Sequence, residues 1–372
     1  MSTKPRPAPL AGRLGRGPDS PYTAAWVWWA PYAVIVLDVV CEILLPRSWA
    51  SGFVLVAVPV LAAITRPARL VAALTLVAVG LQLLFAWRFD HLSEVHHVGI
   101  YVATGIVGVI SVELSVQRER DARQLVQARS VGEAVQLMLL RPIPAALGPV
   151  RAAGYYQAAD TRAQVGGDLY DLCATPYGVR VLVGDVRGKG LAAIQHVGTV
   201  LGSFRDAAHE IPDLAELTDR MERRLAREAA DAGDAELFVT ALFLEFPPDA
   251  PEVRIADRGH PSPVLVRYGG AAKLPTRPGV PLGLGALGGA PTEVTRHPLA
   301  PGEVLVAHTD GVSEARGTDG EFYPLADRLA AHFGGCDVLD PGAVAGFVRE
   351  DLAEYAVGTP DDVAVIALAR AD

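Results

Sequence analysis

The chain has 372 residues, 51% of them hydrophobic, with a mean hydropathy of +0.27 and a formal charge of −9. That length leaves room for two or three folding units, and that hydropathy asks for a membrane portion. Residues 1–130 carry 12 Lys/Arg against 8 Asp/Glu, while residues 131–372 carry 21 against 34; an acidic C-terminal portion excludes a nucleic-acid partner, since a phosphate backbone needs basic surface.

In chain order, the tail to Pro21 is rich in Pro, Gly and Arg and is expected to be disordered. Four apolar stretches follow, at about 24–45, 48–65, 69–89 and 98–116. Each approaches the ~20 residues that cross a bilayer, the second being the weakest because Pro59 interrupts it. The length of the first stretch, and the spans after it, argue against a cleaved signal peptide. Lys4, Arg6, Arg13 and Arg16 precede the first span, Arg66 and Arg69 separate the second from the third, and Arg118, Arg120 and Arg123 follow the fourth. Arg47 and Arg88 are the only basic residues of the other two loops, so both termini are expected in the cytoplasm. Trp26, Trp28, Trp29, Trp49 and Trp87 fall at span ends and read as interfacial anchors. Asp38 and Glu42 share one face of the first span, as groups of a sensing bundle or as hydrated groups near its edge. The outer loop 90–97 holds His91, His96 and His97 with Asp90 and Glu94; solvation accounts for it, with metal or pH sensing as the alternative.

Residues 113–140 contain no helix breaker except Gly132. Leu125, Ala128, Val131, Val135 and Met138 recur at three- and four-residue intervals, which predicts one continuous helix with an apolar seam. Arg129 breaks that seam, so a coiled coil is not specified. Pro142, Pro144 and Pro149 then mark a boundary. The expected organisation is a tail 1–21, a membrane region 22–117, a linker 118–149 and a catalytic domain 150–372.

Beyond the linker, strand-like runs occur at 152–157, 167–173, 179–185, 238–246, 253–257, 263–268, 304–309 and 363–369. Helix-like stretches lie at 192–209, 213–230, 325–333 and 341–356. Paired strands with two long helices after the third predict an α+β sandwich, because hairpin-sized gaps outnumber crossovers. Asp168 ends a short apolar alternation, and Asp185 ends a Val-rich run that breaks into glycines at Gly184, Gly188 and Gly190. Asp310 and the pair Asp361/Asp362 stand at later strand ends. A lone Asp in such a place usually forms a turn or a cap. Their joint occurrence points instead to a hard divalent cation, because Mg²⁺ and Mn²⁺ take oxygen ligands. Asp171 reads as structural, bonding its own turn.

Two other chemistries are disfavoured. The run 184–190 imitates a phosphate-binding P-loop, yet it is a residue short before Lys189, and Gly190 stands where Ser or Thr should bind Mg²⁺. Cys41, Cys173 and Cys336 show no zinc-like spacing or disulfide framework and suit a reducing compartment. Neither Cys173 nor Cys336 opens a Cys-(five residues)-Arg loop, which disfavours a cysteine nucleophile.

Six motifs appear in one order: Gly166-Gly-Asp-Leu-Tyr-Asp171, Gly184-Asp-Val-Arg-Gly-Lys-Gly190, Arg258-Gly-His-Pro261, Gly279-Val-Pro-Leu-Gly283, Thr309-Asp-Gly-Val-Ser-Glu-Ala315 and Asp361-Asp362. This order resembles the SpoIIE-like branch of the metal-dependent (PPM, type 2C) Ser/Thr protein phosphatases, over about residues 135–372. The resemblance implies an αββα sandwich joined to an all-α, four-span membrane bundle, and two Mn²⁺ or Mg²⁺ ions as cofactors. By it, Asp185 bridges the two ions, the Val186 carbonyl is a further ligand, Asp310 and Asp361 complete the direct set, and Asp168 holds water at the metals. Asp362 is the alternative to Asp361. The family often has Ser and His where Arg187 and Lys189 stand; both replacements are cationic and read as phosphate-binding, but a His proton donor is lost. His260, followed by Pro261-Ser-Pro263, reads as part of a rigid turn rather than as catalytic.

The resemblance also implies the substrate, a phosphorylated anti-anti-sigma (STAS-domain) protein whose dephosphorylation releases a sigma factor. Membrane lipid and a second copy, paired through the linker helix, are the other expected partners. Two rival readings are a catalytically silent phosphoprotein-binding module, against which the retained acidic positions argue, and a transport protein with a regulatory tail. Short, mostly uncharged spans argue against the second.

Overall fold

A computed structural model describes residues 25–44, 52–88, 95–158, 166–234, 236–288, 291–357 and 361–371. The tail 1–21 and most of the loop 90–97 lie outside the described residues. By contacts the chain divides into two units, 1–127 and 128–372.

The first unit is helical. It contains α1 (Ala25–Leu44), a 3₁₀ turn (Phe53–Val56) running into α2 (Ala57–Thr65), α3 (Ala68–Arg88), and the start of α4 (Val95–Leu139). Among the described residues, three helices are long and apolar enough to cross a membrane, Trp26–Leu44, Ala68–Arg88 and His97–Gln124. Among the described residues, the apolar helix of the second expected span is Phe53–Thr65; residues 48–51 of that stretch lie outside the described residues. Pro59 does not break it: it sits in the first turn of α2, where backbone N–H groups have no acceptor within the helix. The four-span count therefore rests on a segment of about 20 Å, against the ~30 Å of a hydrocarbon core. Arg118 donates to the carbonyls of Ala63 (2.8 Å) and Arg66 (2.7 Å), capping the C-terminal end of α2. Arg66 donates in turn to the Trp28 carbonyl at 2.7 Å.

Helix α4 continues without interruption to Leu139, as the spacing of the linker predicted. The side chains of Leu125, Ala128 and Val131 lie outside the described residues. Of the rest of the seam, Val135 is half-buried and Met138 is exposed. The deeply buried residues of the last turns are Gln136 and Leu140.

The second unit is built on two antiparallel sheets. After α4 come β1 (Ala146–Leu147), β2 (Val150–Gln157), β3 (Asp168–Thr175), β4 (Gly178–Val186), α5 (Leu191–Glu210), α6 (Leu214–Ala232), β5 (Val239–Phe246) and β6 (Glu252–Arg258). Then follow β7 (Val264–Arg267), β8 (Gly270–Lys273), β9 (Val294–Pro298), β10 (Val304–His308), α7 (Asp310–Ser313), α8 (Leu325–Phe333), α9 (Pro341–Tyr355) and β11 (Val363–Arg370). One sheet runs β1-β2-β11-β10-β7-β8 and the other β3-β4-β5-β6-β9.

The strands at the centre read as unbroken apolar runs because both of their faces are covered. In β11, Ala364, Ile366 and Leu368 join one core with the β3–β6 sheet, α5 and α6, whereas Val363, Val365, Ala367 and Ala369 join a second core with α8 and α9. Helices thus cover the outer face of each sheet, which is the αββα arrangement. Three strands had no counterpart in the sequence reading: β1, β8 and β9. All three are sheet edges, short and poor in large apolar residues, so they carry little periodic signal.

Candidate metal centre

Register brings the first two carboxylates together. Asp168 opens β3 and pairs directly with Asp185 near the end of β4, so both side chains leave the same face of the same sheet. The third arrives from the other sheet: β10 ends at His308, Thr309 stands just before the short helix α7, and Asp310 is its first residue. One oxygen each from Asp168, Asp185 and Asp310 lies within 4.8 Å of the other two.

Thr309 ties the sheets at this point. Its hydroxyl donates to Asp168 Oδ2 at 2.6 Å and accepts from the Ala364 N–H at 2.9 Å, while its own N–H donates to the Ala364 carbonyl at 3.1 Å. Close approach of backbone explains the glycines of the motifs. A Cβ on Gly167 would fall 2.0 Å from the Val186 carbonyl oxygen and 2.7 Å from Asp185 Oδ1, and one on Gly311 would fall 1.9 Å from the Asp362 carbonyl oxygen.

Asp361 and Asp362 are separated by their surroundings. Asp362 is buried and accepts from the Tyr156 hydroxyl at 2.7 Å. Asp361 is exposed, lines a cavity of about 270 Å³ together with Asp310, Glu314, Arg316 and Val357, and accepts from Lys189 Nζ at 2.7 and 2.8 Å.

The electrostatics follow from crowding acid groups in a half-dry place. Burial, reinforced by Asp310, Asp361 and Asp362, pushes the Asp185 carboxyl up to about 7, with Lys189 opposing. Burial raises Asp168 well above the usual carboxylate range, the Thr309 hydroxyl opposing and Asp185, Asp362 and Asp310 adding to the rise. Asp310 is raised by burial and then by Glu314 and Asp361.

Not every expected residue joins the cluster. Arg187 is turned aside: its guanidinium pairs with Glu236 at 2.5 Å and donates to the Glu236 carbonyl at 2.9 Å. Asp171 is structural, accepting from the Leu172 N–H at 2.9 Å and paired with Arg205 of α5. His260 is buried, with ring Nδ1 3.0 Å from the Thr240 hydroxyl and its backbone N–H donating to Asp257 Oδ1 at 3.0 Å. Thr240 is the cross-strand partner of Asp185, so His260 stands one residue behind the carboxylate. Thr309 and Tyr156 join the site although their motif and strand assigned them no role. Thr309 was visible as the residue before Asp310 in its motif; Tyr156, more than two hundred positions from Asp362, left no local signal.

The family model for Stage II sporulation protein E (SpoIIE) matches residues 175–371, which takes in every quoted motif but the first. The chain belongs to the SpoIIE family. Among solved structures, the SiaA-PP2C domain of Pseudomonas aeruginosa aligns at a TM-score of 0.54 and 18% identity, covering 69% of this chain and 99% of that one. That likeness is one of fold and gives the C-terminal unit of this SpoIIE-family chain a PP2C-type phosphatase fold. The RsbU and RsbW domains of a Mycobacterium tuberculosis protein align at a TM-score of 0.48 and 22% identity; the match covers 60% of each chain. The catalytic domain of the protein phosphatase PstP, solved with two manganese ions, aligns at a TM-score of 0.44 and 16% identity over 60% of this chain and 99% of its own.

Proposed function

We propose that the chain is a membrane-anchored, metal-dependent phosphoserine/phosphothreonine protein phosphatase. The observation that carries this reading is the convergence of Asp168, Asp185 and Asp310 within 4.8 Å from two different sheets. Carboxylates so close repel one another, and burial sharpens the repulsion, so a fold that keeps them together is suited to receive cations there. The donor set is all oxygen, which fits Mn²⁺ or Mg²⁺ and not a thiolate-seeking metal.

In this reading Asp185, Asp310 and Asp361, with the Val186 carbonyl, hold the ions. Asp168 positions water at them, and Asp362 backs the site through Tyr156. A pair of such ions, when bound, supplies Lewis acidity to the phosphoryl oxygens and acidifies the attacking water. The protein's own part is positional: Thr309 fixes the orientation of Asp168, and Lys189 brings a positive charge to Asp361. No side chain need act as nucleophile.

The substrate proposed is a phosphorylated STAS-domain anti-anti-sigma protein, the partner expected of a SpoIIE-family enzyme. Anchoring is proposed from the three long apolar helices, with Phe53–Thr65 as a short second crossing and both termini on the cytoplasmic side. The bonds joining Trp28, Arg66 and Arg118 support this orientation. They gather the start of α1, the α2–α3 connection and the end of the last span at one end of the bundle, the arrangement that basic loops on a single face require. Exposed Val126, Leu137 and Met138 on α4 suit the pairing of two copies.

The test is phosphate release by the full-length protein in lipid, with Mn²⁺, from a phosphorylated STAS protein. Release that depends on the metal and disappears in Asp185→Asn supports the reading, and metal-independent or undiminished release removes it.

A further inference from the structure

Lys189 is one of three lysines in the chain and stands in the loop between β4 and α5. Its ammonium reaches both carboxylate oxygens of Asp361, at 2.7 and 2.8 Å. It is held on either side by Gly188 (φ 104°) and Gly190 (φ 88°), and a Cβ on Gly188 would meet nothing within 4 Å, so the loop has space around it. The pair is half-exposed, 44% for Lys189 and 51% for Asp361, which makes it an interaction easily broken in water. The other basic residue of the loop, Arg187, is committed to Glu236.

We propose that Lys189 is a built-in competitor for the cation site at Asp361, and that cation loading of Asp361 transfers its ammonium to the substrate phosphoryl group. The inference rests on the metal-dependent reading above and concerns what this chain adds to it. Lys189 contacts both Asp361 oxygens, so a cation that binds there meets the ammonium's positive charge at close range and competes with it for the carboxylate. A divalent ion carries twice the charge and wins at sufficient concentration, but its apparent affinity is lowered by the pair it has to break. The displaced ammonium stays tethered at the N-terminus of α5, four residues from Asp185. A flexible stem with three rotatable donors then suits it to a phosphoryl oxygen. Metal loading and phosphate binding become linked through a single side chain, each strengthening the other.

The test uses full-length protein in lipid, comparing the parent with Lys189→Gln and Lys189→Arg. Mn²⁺ binding is read by titration calorimetry, and binding of inorganic phosphate to the Mn²⁺-saturated protein is read as a second isotherm. Lys189→Gln is expected to bind the weaker Mn²⁺ about fivefold more tightly, the most an exposed pair supports. The same variant is expected to bind phosphate about fivefold more weakly, while Lys189→Arg stays near the parent in both. An unchanged Mn²⁺ isotherm in Lys189→Gln overturns the competition, and tighter Mn²⁺ with unchanged phosphate overturns the transfer. A parent that takes up no Mn²⁺ removes the metal-dependent reading itself, and is thereby distinguished from a failure confined to Lys189. The side chain is half-exposed and its pair with Asp361 lies in water, so matching thermal melts are expected for all three proteins.

Discussion

Strands β4 and β5 face each other along their whole length, and the charged residues at their two ends are treated in opposite ways. At one end Arg180 pairs across the strands with Glu245; at the other Asp185 stands opposite Thr240. Arg180 is fully buried, and its donors reach Glu245 (2.8 and 2.5 Å) and the carbonyls of Ala208, Ile211 and Pro212 where α5 ends. Glu245 takes a second arginine, Arg254, at 3.0 Å. Charge there is cancelled within the protein. At the Asp185 end acid gathers against acid, with Lys189 held by the more exposed Asp361. A buried charge that is paired and hydrogen-bonded belongs to the architecture. One left among its own kind marks the place where the molecule expects something from outside.

Four substitutions break or sharpen that contrast. The largest effect is expected from Asp185→Asn. Phosphate release should fall to background, yet the metal-free protein should become more stable at pH 8, by roughly 1–4 kcal/mol, because a carboxyl raised to about 7 in the fold costs free energy when ionised. Urea unfolding in the presence of a chelator reads the second effect, and a destabilised variant would place Asp185 with Arg180 as an architectural charge. Arg180→Met should do the reverse, costing about 3–5 kcal/mol by leaving the buried Glu245 with Arg254 alone and taking the donor from the Ala208, Ile211 and Pro212 carbonyls, with part of that loss recovered in the double variant Arg180→Met/Glu245→Met.

The third concerns pH. Burial lowers His260 to about 3 and His308 to about 4, well below the 6.5 of an exposed imidazole. Groups depressed in the fold contribute stability above pH 6.5 that is lost as pH falls toward 4, since the unfolded chain takes up the protons first. Acid unfolding followed by circular dichroism should therefore begin below pH 6.5, and His260→Gln should flatten the slope between pH 6 and 4. An identical slope would mean that His260 is not neutral and buried in solution. The smallest effect is expected from Thr309→Val, about 1–2 kcal/mol, since it unpairs one Asp168 oxygen and the Ala364 N–H. Its metal affinity should drop further than its stability, because Asp168 loses the group that orients it.

How much of this was legible in the chain depends on whether a signal was local. The central strands and the four main helices of the C-terminal unit could be read from periodicity, since a buried face forces apolar residues to recur at a fixed spacing, and the linker helix from its lack of breakers. The edge strands β1, β8 and β9 could not, because they bury little and need no such pattern.

The amino-acid sequence by itself determined which acids stand at strand ends and in what order, and that order was enough to indicate the family. Only the tertiary structure decided which of them meet. Asp168 and Asp185 are joined by register, but Asp310 comes from the second sheet, and a register shift of one residue would turn either strand's acid to the opposite face. The partners of the two loop cations were equally beyond the chain's local pattern. Arg187 and Lys189 lie two residues apart, yet one closes on Glu236 and the other on Asp361, because the choice belongs to the strands and loops packed around them.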